Sequence, residues 1–470
     1  MGAHGETHLA FTGNCYIEHR VSVHQNKEGF RKLIELLKHS DLSFANMECA
    51  IQDGEDWPAF GSGMGWAGTV MGAPPSMIDE LKFMGVQAVY AANNHVADFG
   101  EAGILTTINY LKRGEMPYAG IGASLTEAAQ PTYLETEHAR VALISLADWG
   151  PRQMMDLIFP WPAGYMGSDE LPPYKSRPGV NLLRYDSVAH VDRPAFEQLR
   201  RISKELNWER GKVVRFQGAA RTETLIGSTL KGWEKDTDSE FFFMGRKFVL
   251  GEKFRMSTFP YQEDLERTYK HVAEARRHAD VVIVALHDQA HGTGVHDYIK
   301  TFAHGCIDAG ADVYVNHGGL QRGIEFYKGK AILYGQPPLY LQNNEVTKLP
   351  LAMKLRLGLS IDSTVGELLE DRDRNRERAT SAGGQTHAFS RIGSAVQVVV
   401  FGENAALKEV RIYPTEEYTI QGRRPRLSVP RLAEPGSDKF NQVIERARER
   451  SHPFGTRIEI RDDIGVARSA

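Results

Sequence analysis

Val281-Val282-Ile283-Val284-Ala285-Leu286-His287-Asp288 is an unbroken apolar run that stops abruptly at a histidine and an aspartate. A run of this length, rich in β-branched residues, reads as a strand buried on both faces, as in parallel sheets. Helical spacing precedes it over residues 262–277 and follows it over 296–309, and a second short apolar strand comes at 312–315. The first third of the chain repeats this rhythm. Strands are expected at 9–13, 42–46, 87–92 and 141–147, and helices at 30–39, 75–84 and 101–113. In the first helix, Phe30, Leu33, Ile34, Leu36 and Leu37 lie at helical spacing. Strand–helix alternation implies βαβ units and a mostly parallel sheet.

Between these two regions the pattern breaks. Residues 149–261 are rich in Pro, Gly and aromatics, with one clear helix near 194–206. This block is expected to interrupt two halves of one sheet. The division is therefore 1–150 for the first α/β half, 151–260 for an insertion or lid, 261–345 for the second half and 346–470 for a C-terminal extension. The extension carries a hairpin at 395–413, turning at Gly402-Glu403-Asn404, and a helix at 438–450.

Four apolar strands end in metal-capable residues. Leu42-Ser43-Phe44-Ala45 runs into Asn46-Met47-Glu48, and Val89-Tyr90-Ala91-Ala92 into Asn93-Asn94-His95. The quoted run reaches His287-Asp288, and Val313-Tyr314-Val315 reaches Asn316-His317. In open α/β sheets, ligands bind just beyond the carboxyl ends of the strands. One sheet would then deliver Glu, Asn and His side chains to one crevice from several strands. Imidazole suits Zn, Fe, Mn or Ni, and carboxylate and amide oxygens suit the harder of these ions.

Composition narrows the function. The chain has 470 residues, a net charge of -4 and 41% hydrophobic residues, with no strongly basic face to expect for nucleic acid. Cys15, Cys49 and Cys306 match no zinc spacing, which fits a reducing compartment. The N-terminus has no signal-like segment, and no apolar stretch approaches the roughly 20 residues needed to cross a bilayer. These points lead to a cytoplasmic protein with a small-molecule substrate and no nucleic-acid or membrane partner. Oligomeric state stays open.

Motifs along most of the chain resemble the CapA-type proteins, named for poly-γ-glutamate capsule synthesis. They are Asn46-Met47-Glu48, Ala92-Asn93-Asn94-His95 with Asp98-Phe99-Gly100, Gly120-Ile121-Gly122, Arg177-Pro178-Gly179-Val180-Asn181, Ala279-Asp280-Val281-Val282-Ile283 ending at His287, Asp308-Ala309-Gly310-Ala311-Asp312, and Gly323-Ile324-Glu325-Phe326-Tyr327-Lys328-Gly329-Lys330. The resemblance implies a metallophosphatase-like four-layer α/β sandwich with a two-metal site. It makes Glu48 the bridging carboxylate, has Asn94, His287 and His317 complete one metal's shell, and makes His95 the acid–base group. Two departures fall on the other metal. Asn14 stands where the family has aspartate, and Asn316-His317-Gly318-Gly319-Leu320 lacks the family's final histidine. A cation in a buried site needs charged or strong donors, so one metal is expected.

The expected activity is hydrolysis of an amide or ester bond by metal-activated water, ranked above a lyase using the metal as Lewis acid. A CapA-like phosphoesterase and a non-catalytic binding protein are further alternatives. His291 and His296 are candidate replacement ligands or substrate contacts, and Asp288 is a candidate orienter of a ligand histidine. Aromatics of the inserted block, including Phe241-Phe242-Phe243, form either a pocket over the metal or the insert's own core.

Overall fold

The computed structural model describes residues 5–58, 70–150, 166–170, 172–207, 236–243, 246–288, 294–318, 321–342, 346, 349–351, 354, 358–371, 374, 394–419 and 428–468. The chain forms a mixed α/β structure around two ten-stranded sheets. In the first sheet, Thr7–Tyr16 lies parallel to Leu42–Met47, followed by Ala88–Tyr90 and Tyr118–Ala119. On its other side Thr7–Tyr16 pairs antiparallel with Ser394–Phe401, which continues to Leu407–Thr419. The second sheet has a parallel centre of Leu182–Val191, Arg140–Trp149, Val281–His287, Val313–His317 and Lys330–Gln336. Gly323–Tyr327 closes it as an antiparallel hairpin partner of Lys330–Gln336.

The expectation of one sheet is thus corrected to two. Past Tyr118–Ala119 the chain turns at Gly120, whose φ is +102°. A Cβ there would meet Ala92 Cβ at 2.5 Å and the Ser145 carbonyl at 2.9 Å, so only glycine lets the chain cross. Strands buried on both faces have the same apolar pattern in either arrangement, which is why the pattern does not distinguish them.

Alternation along each strand divides the core. Leu9, Phe11, Phe44 and Tyr90 of the first sheet share one cluster with Leu143, Ile283, Val315 and Leu333 of the second. The alternate residues Ala10, Ala45 and Val89 pack against Leu33, Leu37, Leu81 and Ile104 from helices Glu28–His39, Met77–Met84 and Gly100–Arg113. On the second sheet, Val282, Val284 and Tyr314 pack against Val272, Phe302 and Cys306 of Gln262–His278 and Asp297–Asp308. This layering is consistent with a sandwich. Each fully buried Leu, Val or Phe contributes about 1.5–3 kcal/mol, so this inner seam is a main source of stability.

The sheets are stitched beside Gly13. Leu339 donates its N–H to the Asn14 carbonyl at 2.9 Å, and Tyr340–Leu341 pairs in parallel with Cys15 and Tyr16. A Cβ on Gly13 would lie 2.3 Å from the carbonyls of Gln336 and Pro337.

The described part of 151–260 widens the second sheet. The run Phe241-Phe242-Phe243 belongs to strand Glu240–Phe243. Phe241 meets Phe196 edge-on at 5.0 Å and stacks on Phe248 at 5.4 Å, so it forms a local core. Arg152, Trp161, Tyr165, Trp233 and the glycine-rich stretch 61–68 lie outside the described residues. Among the described residues, no helix is long and apolar enough to cross a membrane.

Candidate functional site

The strand ends converge across the gap between the sheets. In the first sheet Asn14 pairs in register with Asn46, and the Glu48 N–H donates to the Cys15 carbonyl at 3.1 Å. In the second, His287 pairs in register with His317. His287 Nε2 lies 2.8 Å from Asn94 Oδ1 and 3.7 Å from Glu48 Oε1. Its other nitrogen, Nδ1, lies 3.2 Å from His317 Nδ1. Three residues therefore surround the His287 imidazole, with Glu48 and Asn94 on one nitrogen and His317 on the other, across the ring from them. Glu48, His287 and His317 are buried, whereas Asn94 is half-buried.

An amide network sets these positions. Asn46 Nδ2 donates to Asn14 Oδ1 at 2.9 Å and lies 3.3 Å from His287 Nδ1. Asn93 Nδ2 donates to the Met47 carbonyl at 2.7 Å, and its Oδ1 accepts the N–H groups of His95 and Val96 at 3.0 and 2.9 Å. His95 Nδ1 lies 2.8 Å from Asp98 Oδ2, which also accepts the Met71 N–H at 2.8 Å.

Burial governs the charges. It pushes Glu48 up to about 7, opposed by the charge of His95 and a hydrogen bond from Asn14. Burial, with repulsion from His95, pushes His287 down to about 3. Burial also holds His317 well below the ordinary imidazole value, again with a neighbouring histidine. Burial disfavours a charged His95, but the Asp98 carboxylate, its hydrogen bond and Glu48 together raise it. Both strand-end histidines are thus neutral near pH 7, the form that binds cations.

Asp288 sits directly beneath this cluster. Arg322 Nη1 donates to both of its oxygens at 3.0 and 2.9 Å, and Asn316 Nδ2 donates to Oδ2 at 2.8 Å. The Asp288 N–H donates to the His317 carbonyl at 2.8 Å. Asp288 therefore ties together the loops bearing both histidines. His296 precedes helix Asp297–Asp308, and its ring lies 6.1 Å from that of Tyr298. His291 lies outside the described residues. The roles of Asn46, Asn93 and Arg322 escaped the sequence reading. The first two stand inside motifs already singled out, whereas Arg322 carries no local signal.

The donor set fits a divalent ion. Ligands about 2.0–2.2 Å from one cation sit roughly 3–3.5 Å from each other. The separations of 2.8 and 3.7 Å around His287 Nε2 bracket that range. His317 Nε2 is buried without a hydrogen-bond partner among the described residues. No group of three or more His, Cys, Asp or Glu side chains forms a ready-made cluster among the described residues. The convergent trio includes an amide, Asn94, in place of a third such side chain.

Over 462 residues the chain is 28% identical to two uncharacterized proteins of Sinorhizobium fredii, y4sH and y4uA, spanning 96% of this chain and 90% of each relative. The family model described as "Bacterial capsule synthesis protein PGA_cap" matches residues 8–336, the span that holds every residue of the convergent site. With most of its length covered, this chain belongs to the PGA_cap capsule synthesis family.

Proposed function

We propose that the protein is a metal-dependent hydrolase of metallophosphatase-like, four-layer architecture, cleaving an amide or ester bond of a small molecule. Glu48, Asn94 and His287 would hold one divalent cation, Zn, Mn or Fe, and His317, which faces the opposite nitrogen of the His287 ring, would join them only by reorienting. The observation that carries this reading is the meeting of Glu48 Oε1, Asn94 Oδ1 and His287 Nε2 from separate sheets. The family is metallophosphoesterase-like, which agrees with it.

When bound, the cation would acidify a water and polarise the substrate carbonyl. His95 supplies the proton transfer. Its Nδ1 is engaged by Asp98, which leaves Nε2 for the substrate. Its raised proton affinity suits a general acid near neutral pH. Glu48 accepts a hydrogen bond from Asn14, an uncharged group on the flank where the family resemblance places a second metal. In-line phosphoryl displacement relies on two metals, so this flank favours acyl chemistry.

Elemental analysis of protein purified without added metal tests the reading. About one equivalent is expected, and Glu48→Ala and His287→Ala should lose it. Two equivalents would restore the phosphoesterase alternative, and none would overturn the metal site.

A further inference from the structure

The C-terminal extension carries a hairpin beyond residues 8–336, the span that the family model matches. Arg457–Arg461 pairs with Ile464–Arg468, and Asp462 and Asp463 make a two-residue turn with φ of +48° and +62°. Arg457–Arg461 is the last strand of the first ten-stranded sheet, and its outer edge has no strand partner among the described residues. In a two-residue hairpin the closing residues, here Arg461 and Ile464, exchange hydrogen bonds, and bonded pairs then alternate along the ladder. Ile458 and Ile460 therefore aim their backbone groups away from Ile464–Arg468. The Ile458 carbonyl accordingly accepts Arg448 Nε at 2.9 Å. Ile460 remains on the open edge, with its side chain 45% exposed.

Charges along this edge are self-complementary. The run reads Arg457-Ile458-Glu459-Ile460-Arg461-Asp462-Asp463. An antiparallel copy related by a two-fold axis through Ile460 sets Ile460 against Ile460, Glu459 against Arg461 and Arg457 beside Asp463. Glu459 already accepts from Arg461 Nε at 3.0 Å within the strand, so two copies would form an alternating ring of four charges. Arg457, Asp462 and Asp463 are exposed and enter no ion pair among the described residues. An axis through Glu459 would oppose like charges and need backbone groups already bonded to Ile464–Arg468. One through Ile458 would need the carbonyl that Arg448 occupies. We infer that this edge docks a second copy of the chain, joining two ten-stranded sheets by antiparallel pairing of Arg457–Arg461 about Ile460. A strand of 5 residues buries little area, so the dimer is weak and concentration-dependent, held by the central backbone hydrogen bonds and the flanking charges.

Sedimentation velocity of the full-length protein, from about 1 μM to about 1 mM, should show a monomer–dimer equilibrium that weakens as salt rises. Ile460→Lys sets like charges on the axis, and Ile460→Pro removes the central N–H while sparing the bonds to Ile464–Arg468. Each should leave a monomer. Arg457→Ala and Asp463→Asn should each weaken association about 2–30-fold, because the pair occurs twice across the axis. Combined, they should cost less than the product of the single losses, since both remove the same pair. A monomer throughout the range overturns the inference. So does a dimer that Ile460→Lys leaves intact, or growth beyond a dimer, either of which puts the contact on another surface. If the melting curve of Ile460→Pro shows a folding defect, Ile460→Lys, which changes only an exposed side chain, decides alone.

Discussion

Arg322→Ala should be among the most destabilising single substitutions near the site. The Arg322 and Asp288 side chains are 2% and 0% exposed, and Nη1 of the arginine bonds both carboxylate oxygens. Burial alone would lower the proton affinity of Arg322, but the Asp288 charge reverses this, so the guanidinium stays ionised. Truncating one partner strands the other charge away from water, which costs about 3–5 kcal/mol. That is a large share of the roughly 5–15 kcal/mol that holds a typical fold together. Urea unfolding followed by circular dichroism measures the loss. Asp288→Asn removes the stranded charge but keeps an oxygen for the Asn316 amide. The double variant Asp288→Asn/Arg322→Ala should therefore be more stable than Arg322→Ala alone, with a coupling of about 1–3 kcal/mol. A cost below about 1 kcal/mol for Arg322→Ala, the scale of an exposed pair, would refute the buried ion pair. Further damage on adding Asp288→Asn would refute it equally.

Three further outcomes are expected. Glu48 keeps its proton up to about pH 7 without metal, and His287 stays neutral down to about 3, so a cation competes with one proton. Cobalt affinity measured by titration should fall roughly tenfold per unit as pH drops below about 7 and level off above it; a flat acid limb would contradict this. Asp98→Asn removes the main group that raises His95, so the His95 imidazole should titrate at lower pH in histidine-labelled NMR spectra; an unchanged or higher value would dismiss the pairing. Gly318 has φ +100°, and a Cβ there would lie 2.6 Å from the Asp288 carbonyl and 2.8 Å from His287 Cε1. Gly318→Ala should destabilise by about 1–3 kcal/mol of backbone strain and weaken cobalt binding, and an unaltered melting curve would show that the loop adapts freely.

Periodicity made most elements legible. The helix expected at 262–277 is Gln262–His278, and that expected at 438–450 is Asp438–Ser451. Both bury residues at helical spacing, Leu265, Val272 and Ala275 in the first and Phe440, Val443, Ile444 and Ala447 in the second, a pattern that fixes a helix more surely than it fixes its ends. The strand-end residues were readable because polar groups closing an apolar strand stand out. Sheet membership was not readable, since Arg140–Trp149 and Ala88–Tyr90 are equally buried and only long-range pairing separates them. The same limit hid Arg322, whose partner is 34 residues away, and the stack of Tyr90 on His317. The triple phenylalanine fits a pocket or a core equally well by sequence, and in the structure Phe241 and Phe243 lie in a local core.

Thr7–Tyr16 occupies the interior of its sheet. One of its edges is filled early by Leu42–Met47, whereas Ser394–Phe401 fills the other nearly 400 residues later. Until residues 394–401 have been made, the nascent chain therefore presents a strand with one open flank, a template for pairing with other chains. Chains truncated before Ser394 should therefore yield aggregates before they yield smaller folded proteins.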